Sequence, residues 1–372
     1  MKIKEITEQI EKMVPLSLAQ DWDNVGLLIG NVRKNVKRIL LTIDITSDVV
    51  AEAKRLKTDL IVSYHPVIWD GLKKITTEGP SSIVHELIRH NIAVFSIHTA
   101  LDVVSGGVND GLAEIIGIED GKPIGDYVVN PADDNYKLVV FVPAESLAKV
   151  SNAVFAAGAG AIGNYSDCGF STDGTGTFLP LEGAKPAIGK KGKLEKVLEI
   201  RFETIVPAEK LDTVVAAMRK AHPYETPAFD IIKLYNSQNK FGLGRIGKLA
   251  KPLKIEQIIR RIKKHTGAPA AGIVGKEKRL VKTAAVCAGS CGAIINLVIA
   301  AKADLYLTGE LKHHQALAAQ EAGLTCICLS HTVSERFILK KFSKQLQKQL
   351  NSTTMTIRIS KKDADPFRWK NI

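Results

Sequence analysis

The sequence predicts an α/β protein interrupted by a smaller α+β domain, and three observations carry that reading. Short apolar runs, each followed by an amphipathic stretch of roughly 10–15 residues, recur near both ends of the chain, as buried parallel strands with crossover helices do. Between them lies a repeat of another kind, Val142-Pro143-Ala144-Glu145-Ser146-Leu147 and Val206-Pro207-Ala208-Glu209-Lys210-Leu211. Several apolar runs also stop abruptly on histidine or a carboxylate. In an open α/β sheet, residues just beyond the carboxyl ends of the strands form the ligand crevice.

Taken in order, Arg38 to Thr46, Asp59 to His65 and Ile92 to Thr99 read as strands. Ser47 to Lys57, Ser81 to His90 and Gly107 to Ile116 follow them as helices. The closing part repeats the scheme, with strands at Ala284 to Ser290, Ala303 to Glu310 and Leu324 to His331, each followed by a helix. A faint likeness between Ala53–Ser63 and Ala301–Thr308 suggests two related halves. In the middle segment each copy of the repeat follows a β-rich run, Lys137 to Phe141 or Val197 to Ile205. Pro at the first turn with Glu behind it opens a helix. A strand after each helix gives β-α-β twice, the ferredoxin-like pattern. Gly169 to Gly192, rich in Gly, Thr and Lys, reads as a long mobile loop. The expected organisation is a core of residues 1–125 and 237–372 around an inserted domain at 126–236.

A chain of 372 residues with 45% apolar content and mean hydropathy of +0.03 can bury a large core. The start, Met1-Lys2-Ile3-Lys4-Glu5, lacks the regions of a signal peptide. No apolar stretch approaches the roughly 18 residues of a membrane span. The five cysteines are an odd set in a long chain and read as core thiols rather than a disulfide framework. Together these features suggest a cytoplasmic protein without a membrane partner. The net charge of +12 is partly local, since Glu335 to Ile372 holds ten Lys or Arg against three Asp or Glu. A solvated helix face and basic tail account for it, and the absence of interleaved aromatics argues against nucleic acid.

The strand-end set comprises Asp44, Tyr64 with His65, His98 with Asp102, Glu310, and His331 with Glu335. His331 and Glu335, spaced i, i+4 at the opening of a helix, share one face and can reach one ion. Imidazole with carboxylate suits Zn, Mn, Fe or Ni and disfavours a pure Ca or Mg site. A shared carboxylate such as Glu335 can bridge two ions about 3.5–4 Å apart. His313 and His314, about 100° apart on a helix, cannot both face that ion and read as surface or supporting residues. Gly242-Leu243-Gly244-Arg245-Ile246-Gly247 matches GxGxxG but lacks the strand–helix context of a dinucleotide site, and reads as a turn re-entering the core. His222-Pro223-Tyr224-Glu225 reads as a packed turn, with a lobe that closes over the core site as the alternative.

With those residues in view, the chain resembles a known family. Leu18-Ala19-Gln20-Asp21-Trp22-Asp23-Asn24-Val25-Gly26, Ser63-Tyr64-His65-Pro66 and His98-Thr99-Ala100-Leu101-Asp102 carry the likeness. Thr308-Gly309-Glu310 and Ser330-His331-Thr332-Val333-Ser334-Glu335 complete it. These motifs resemble the NIF-three-like family, whose members are described as GTP cyclohydrolase 1 type 2 homologues. Gly169-Phe170, Gly174–Phe178 and His222–Glu225 are similar to the PII/CutA-like insert of its longer members. The resemblance implies a two-lobed, three-layer core with mainly parallel sheets, a dinuclear site and a hexameric ring. It implies His65, Asp102, His331 and Glu335 as ligands of two divalent transition-metal ions per subunit. Tyr64, His98 and Glu310 would support the metals or meet substrate. Tyr64 departs from the usual adjacent histidine pair, so one ion should be weakly held, because a phenol with a pKa of about 10 is a poor ligand. Ser330 replaces a common glycine, and Thr226 an acidic residue. The implied activity is metal-dependent hydrolysis of a nucleotide or other phosphorylated small molecule. A non-catalytic metal-binding regulator or scaffold is the alternative.

Overall fold

The computed structural model describes residues 1–125, 128–129, 134–235, 240–278 and 280–367. It divides into two compact units, Met1–Val128 with Lys240–Ile372, and Val129–Asn239.

The larger unit holds two sheets. In the first, the strands run in the order Gly26–Ile29, Ala93–Ser96, Leu60–Ser63, Arg38–Thr42 and Thr356–Ile359. All neighbours are parallel except Gly26–Ile29, which lies antiparallel to Ala93–Ser96. Leu60–Ser63 and Ala93–Ser96 are buried along their whole length, which explains apolar runs without alternation. The second strand ends earlier than expected, because His98 opens a helix, His98–Val103. Ser63 pairs with Ser96, so His65 and His98 leave adjacent strands at the same end.

The second sheet runs Gly272–Val274, Thr325–Cys328, Leu305–Thr308, Leu280–Cys287, Gly244–Lys254 and Ile118–Ile124. Only its three central strands, Thr325–Cys328, Leu305–Thr308 and Leu280–Cys287, are parallel. The expectation of mainly parallel sheets therefore fails here. The flanking strands pair antiparallel, which requires no helical crossover. Cys287, Thr308 and Cys328 lie in register, bringing Gly289, Glu310 and His331 out at one end. Leu41, Val62 and Phe95 from the first sheet and Val286, Leu307 and Ile327 from the second belong to one buried cluster, together with Phe342 and Leu346 of the helix Ile338–Leu350.

Two strands cross the expected halves. Ile118–Ile124 joins the second sheet and Thr356–Ile359 the first. What reads as a basic tail is thus partly a sheet strand, with Arg336 paired to Asp363 at 2.8 Å. The GxGxxG segment bends only at Gly242 and Leu243, and from Gly244 onward it is strand. Gly244 opens Gly244–Lys254, where a Cβ would lie 2.6 Å from the Val286 carbonyl oxygen. The buried Arg245 guanidinium donates to the Gly242, Gly244 and Val103 carbonyls and pairs with Asp110.

The smaller unit has strands Asn135–Pro143, Gly169–Phe178, Glu195–Pro207 and Phe229–Leu234, with helices Leu147–Ala156 and Leu211–Ala221. The sheet order is fourth, first, third, second, antiparallel throughout, which is the ferredoxin-like arrangement. Alternate residues Leu138, Val140 and Val142 pack on Val150, Val154, Val214 and Met218 of the helices. The expected loop at Gly169 to Gly192 is wrong for its first part. Gly169–Phe178 is an edge strand paired from Gly169–Thr204 to Phe178–Glu195. It lacks an apolar alternation because it is largely exposed, and its glycines meet a close neighbour. A Cβ on Gly176 would fall 2.0 Å from Oε2 of Glu199.

Candidate metal centre

Three strand-end residues meet in the larger unit. Ligand atoms of His65, His331 and Glu335 all lie within 4.8 Å of one another, a grouping that could hold a metal ion. Glu335 sits between the imidazoles, with His331 Nε2 at 3.2 Å from Oε1 and His65 Nε2 at 3.6 Å from Oε2. The i, i+4 spacing on the helix His331–Arg336 makes the first contact. Glu335 is buried, and its Oε2 has no hydrogen-bond partner. A buried carboxylate oxygen without a donor is costly unless a cation completes it.

Each imidazole is clamped through its other nitrogen. His65 Nδ1 lies 2.9 Å from Asp44 Oδ1, and His331 Nδ1 lies 2.8 Å from Glu310 Oε1. Both rings thereby turn Nε2 toward Glu335. The hydrogen bond with Glu335, with a second to Glu310, pushes the His331 pKa up to about 10 despite burial.

Tyr64 and Asp102 stand beside this group. The buried phenol donates to Asp102 Oδ1. Burial, then the nearby Asp102 and Glu335 charges, push Tyr64 well above the usual range for a phenol. Burial and the Glu335 charge likewise raise Asp102 well above the ordinary carboxyl value. The Nδ1 partner of His98 is not Asp102. Its Nδ1 instead lies 2.8 Å from Oδ1 of Asp23, whose Oδ2 accepts from Thr99 Oγ1 at 2.5 Å. Asp23 lies in the Leu18–Gly26 motif but does not stand out there as a partner, because it comes from a loop 75 residues upstream of His98.

The rings of His65 and His98 are 5.0 Å apart, and Trp69 lies 5.3 Å from His98 with Trp22 at 5.9 Å. Trp22 and Trp69 are 65% and 54% exposed, unusual for residues of this size next to buried histidines. His313 and His314 are exposed at the start of the helix His313–Glu321. The packed turn at His222 lies in the smaller unit, where its Nε2 contacts the Phe141 carbonyl at 3.0 Å. All five cysteines are free, with Cys287 and Cys326 buried.

Two backbone features fix the centre. Gly289 has φ +68, and a Cβ there would lie 2.7 Å from Glu335 Oε1. Ser330, immediately before His331, holds φ 82 and ψ 155, a region almost reserved for glycine. Its hydroxyl donates to Asp365 at 2.5 Å. A serine in this conformation stores strain next to a centre residue.

The comparisons with known proteins agree with this architecture. The family model for Duf34/NIF3 (NGG1p interacting factor 3) matches residues 1–366. A Halalkalibacterium halodurans protein named GTP cyclohydrolase 1 type 2 homolog is 37% identical over 365 residues, covering 97% of each chain. A Bacillus subtilis protein of the same name is 35% identical, covering 98% of this chain and 97% of its own. Among solved structures, a Bacillus cereus protein related to NIF3 superposes with a TM-score of 0.83 at 37% identity, covering 100% of this chain and 99% of that one. A Staphylococcus aureus protein gives 0.79 at 27% identity, with the same coverage. Matched along nearly its whole length by the family model and by these relatives, the chain belongs to the Duf34/NIF3 (NGG1p interacting factor 3) family.

Proposed function

We propose that this protein holds a dinuclear divalent-metal centre and hydrolyses a nucleotide-like substrate there. The observation that supports it most is the way the imidazoles are held. Carboxylates occupy Nδ1 of both His65 and His331, and both Nε2 atoms face the buried Glu335, whose Oε2 has no partner. Carboxylate-clamped imidazoles of this kind orient a ring and raise its basicity toward a metal. On this reading His65, Asp102, His331 and Glu335 would hold the ions. The donor set suits Zn, Fe, Mn or Ni.

Once bound, two such ions supply a Lewis acid and lower the pKa of water toward about 7. The exposed indoles of Trp22 and Trp69 present faces to which a purine-sized ring can stack. His98, held by Asp23, stands between them for a polar contact with that ring. The GTP cyclohydrolase 1 type 2 homolog name of the relatives adds weight to a nucleotide. The same reading makes residues 126–236 an inserted PII/CutA-like domain in a cytoplasmic, hexameric ring. A light-scattering mass near one 40.4 kDa subunit would remove the ring.

The test is metal per subunit by elemental analysis after dialysis against a weak chelator, followed by an activity screen on nucleotides and phosphoesters. Glu335→Gln keeps the shape and removes the charge, so occupancy should fall at least tenfold, while His98→Ala should retain metal. Equal occupancy in wild type and Glu335→Gln would end the metal assignment. One observation favours a non-catalytic metal-binding regulator instead: Tyr64 already occupies an oxygen of Asp102. Metal retained with no turnover of any substrate in the screen would select that reading.

A further inference from the structure

The smaller unit contains a cavity that the metal centre does not explain. Its volume of about 560 Å³ lies in the range of small-molecule sites, roughly 300–1,000 Å³. Phe141, Phe178, Pro180 and Ile188 give it apolar walls. Glu199, 9% exposed, lines it, and among the described residues its carboxylate forms no ion pair. Beside it the Tyr224 hydroxyl is buried without a satisfied hydrogen bond. Burial first and then the Glu199 carboxylate push the Tyr224 phenol above its ordinary range, which reflects how closely the two groups face each other.

The neighbouring strand is stripped of side chains where they would obstruct the carboxylate. Gly174 pairs with Glu199 across the sheet, and a Cβ on Gly176 would collide with Glu199 Oε2 at 2.0 Å. Arg201, a cation on the rim, is already paired with Glu203 at 2.8 Å. Asp173 and Glu225 add further negative charge to the lining. A buried carboxylate with no cation on it, facing a buried hydroxyl without a well-formed hydrogen bond, is costly unless a ligand completes the pair.

We infer that this cavity is a second ligand site, for a small molecule with a ring-sized apolar body and a cationic N–H group such as an amidinium or amine. The cation sits on Glu199, where a planar amidinium can donate two parallel hydrogen bonds to one carboxylate. Tyr224 accepts a third, and the phenylalanines cover the ring. Nothing in this site draws on the metal ligands, so it stands or falls apart from the proposed hydrolase.

The test uses the full chain and three probes of nearly one shape: benzamidine (cation), benzamide (neutral) and benzoate (anion), titrated by calorimetry. Benzamidine should bind at least tenfold more tightly than benzamide, with benzoate weakest. Glu199→Gln, checked for an unchanged melting temperature, should remove that preference, and Tyr224→Phe should weaken benzamidine severalfold. Equal affinity for the cation and its neutral isostere on the wild-type chain, or no binding by any probe, overturns the inference without relying on a variant. A preference for benzamidine that survives Glu199→Gln overturns it equally.

Discussion

His331 and His222 are both imidazoles with two engaged ring nitrogens, and they are pushed in opposite directions. His331 lies between Glu310 and Glu335, and its pKa is raised to about 10, chiefly by the Glu335 hydrogen bond. His222 lies between two backbone groups, the Phe141 carbonyl at Nε2 and the Tyr224 N–H at Nδ1, and burial lowers its pKa. A ring held by backbone is committed to one neutral tautomer and has no lone pair to spare. A ring held by a carboxylate at Nδ1 keeps an Nε2 that can turn to a cation. A carboxylate on Nδ1 thus leaves a ring able to meet a cation or a substrate, as at His331 and His98, whereas two backbone partners leave His222 nothing to offer.

The largest effect expected from this contrast comes from removing the clamps. Asp44→Ala and Glu310→Ala should each cost roughly 10–100-fold in metal affinity, although neither residue is an assigned ligand. Competition against a chromophoric chelator reads this directly. His222→Gln, in the other unit, should leave the same titration unchanged. Clamp variants that bind as wild type would break the comparison.

A smaller effect should follow at Tyr64. Tyr64→His replaces a protonated phenol by an imidazole and releases Asp102 from its present donor, so a weakly held second ion should bind severalfold more tightly. Metal content unchanged at limiting metal would place Tyr64 outside the centre.

The smallest concerns acid stability. Because the folded pKa of His222 lies below its unfolded value near 6.5, the unfolded chain takes up this proton first. The neutral ring's contribution is present above about pH 6.5 and is lost as pH falls through the window beneath it, until the folded ring also protonates. Protonating Nδ1 would also cost the bond from the Tyr224 N–H. Melting the protein at pH 7.5 and 5.5 should therefore show a larger acid loss for wild type than for His222→Gln. An equal loss in both would assign the acid sensitivity to other groups.

Much of the centre was legible because fully buried strands such as Leu60–Ser63 leave apolar runs that stop where the chain reaches the crevice. The i, i+4 pair His331 and Glu335 also announces its own geometry. What brings His65 to them is sheet register and the shared core, neither of which is written locally. The Nδ1 partner of His98 could not be read because Asp23 lies in a loop distant in sequence, whereas Asp102 shares the helix His98–Val103 with it. The strand Gly169–Phe178 was missed because an exposed edge beside Glu199 needs glycine and threonine, the same residues that mark loops. The antiparallel flanks of the second sheet escaped notice because pairing between sequence-distant strands leaves no periodicity of its own.

The strand Thr356–Ile359 carries a consequence for how the protein is made. It covers the edge of Arg38–Thr42, and just beyond it Asp363 accepts from the Ile43 N–H, a partner 320 residues away in sequence. At translation speeds of about 5–20 residues per second, that separation corresponds to roughly 15–60 s of synthesis. For that interval the backbone amides of Ile39 and Leu41, which face that edge, have no native neighbour, and an open apolar edge is a template for wrong pairing. The strand that closes the first sheet is thus made long after the strand whose edge it covers.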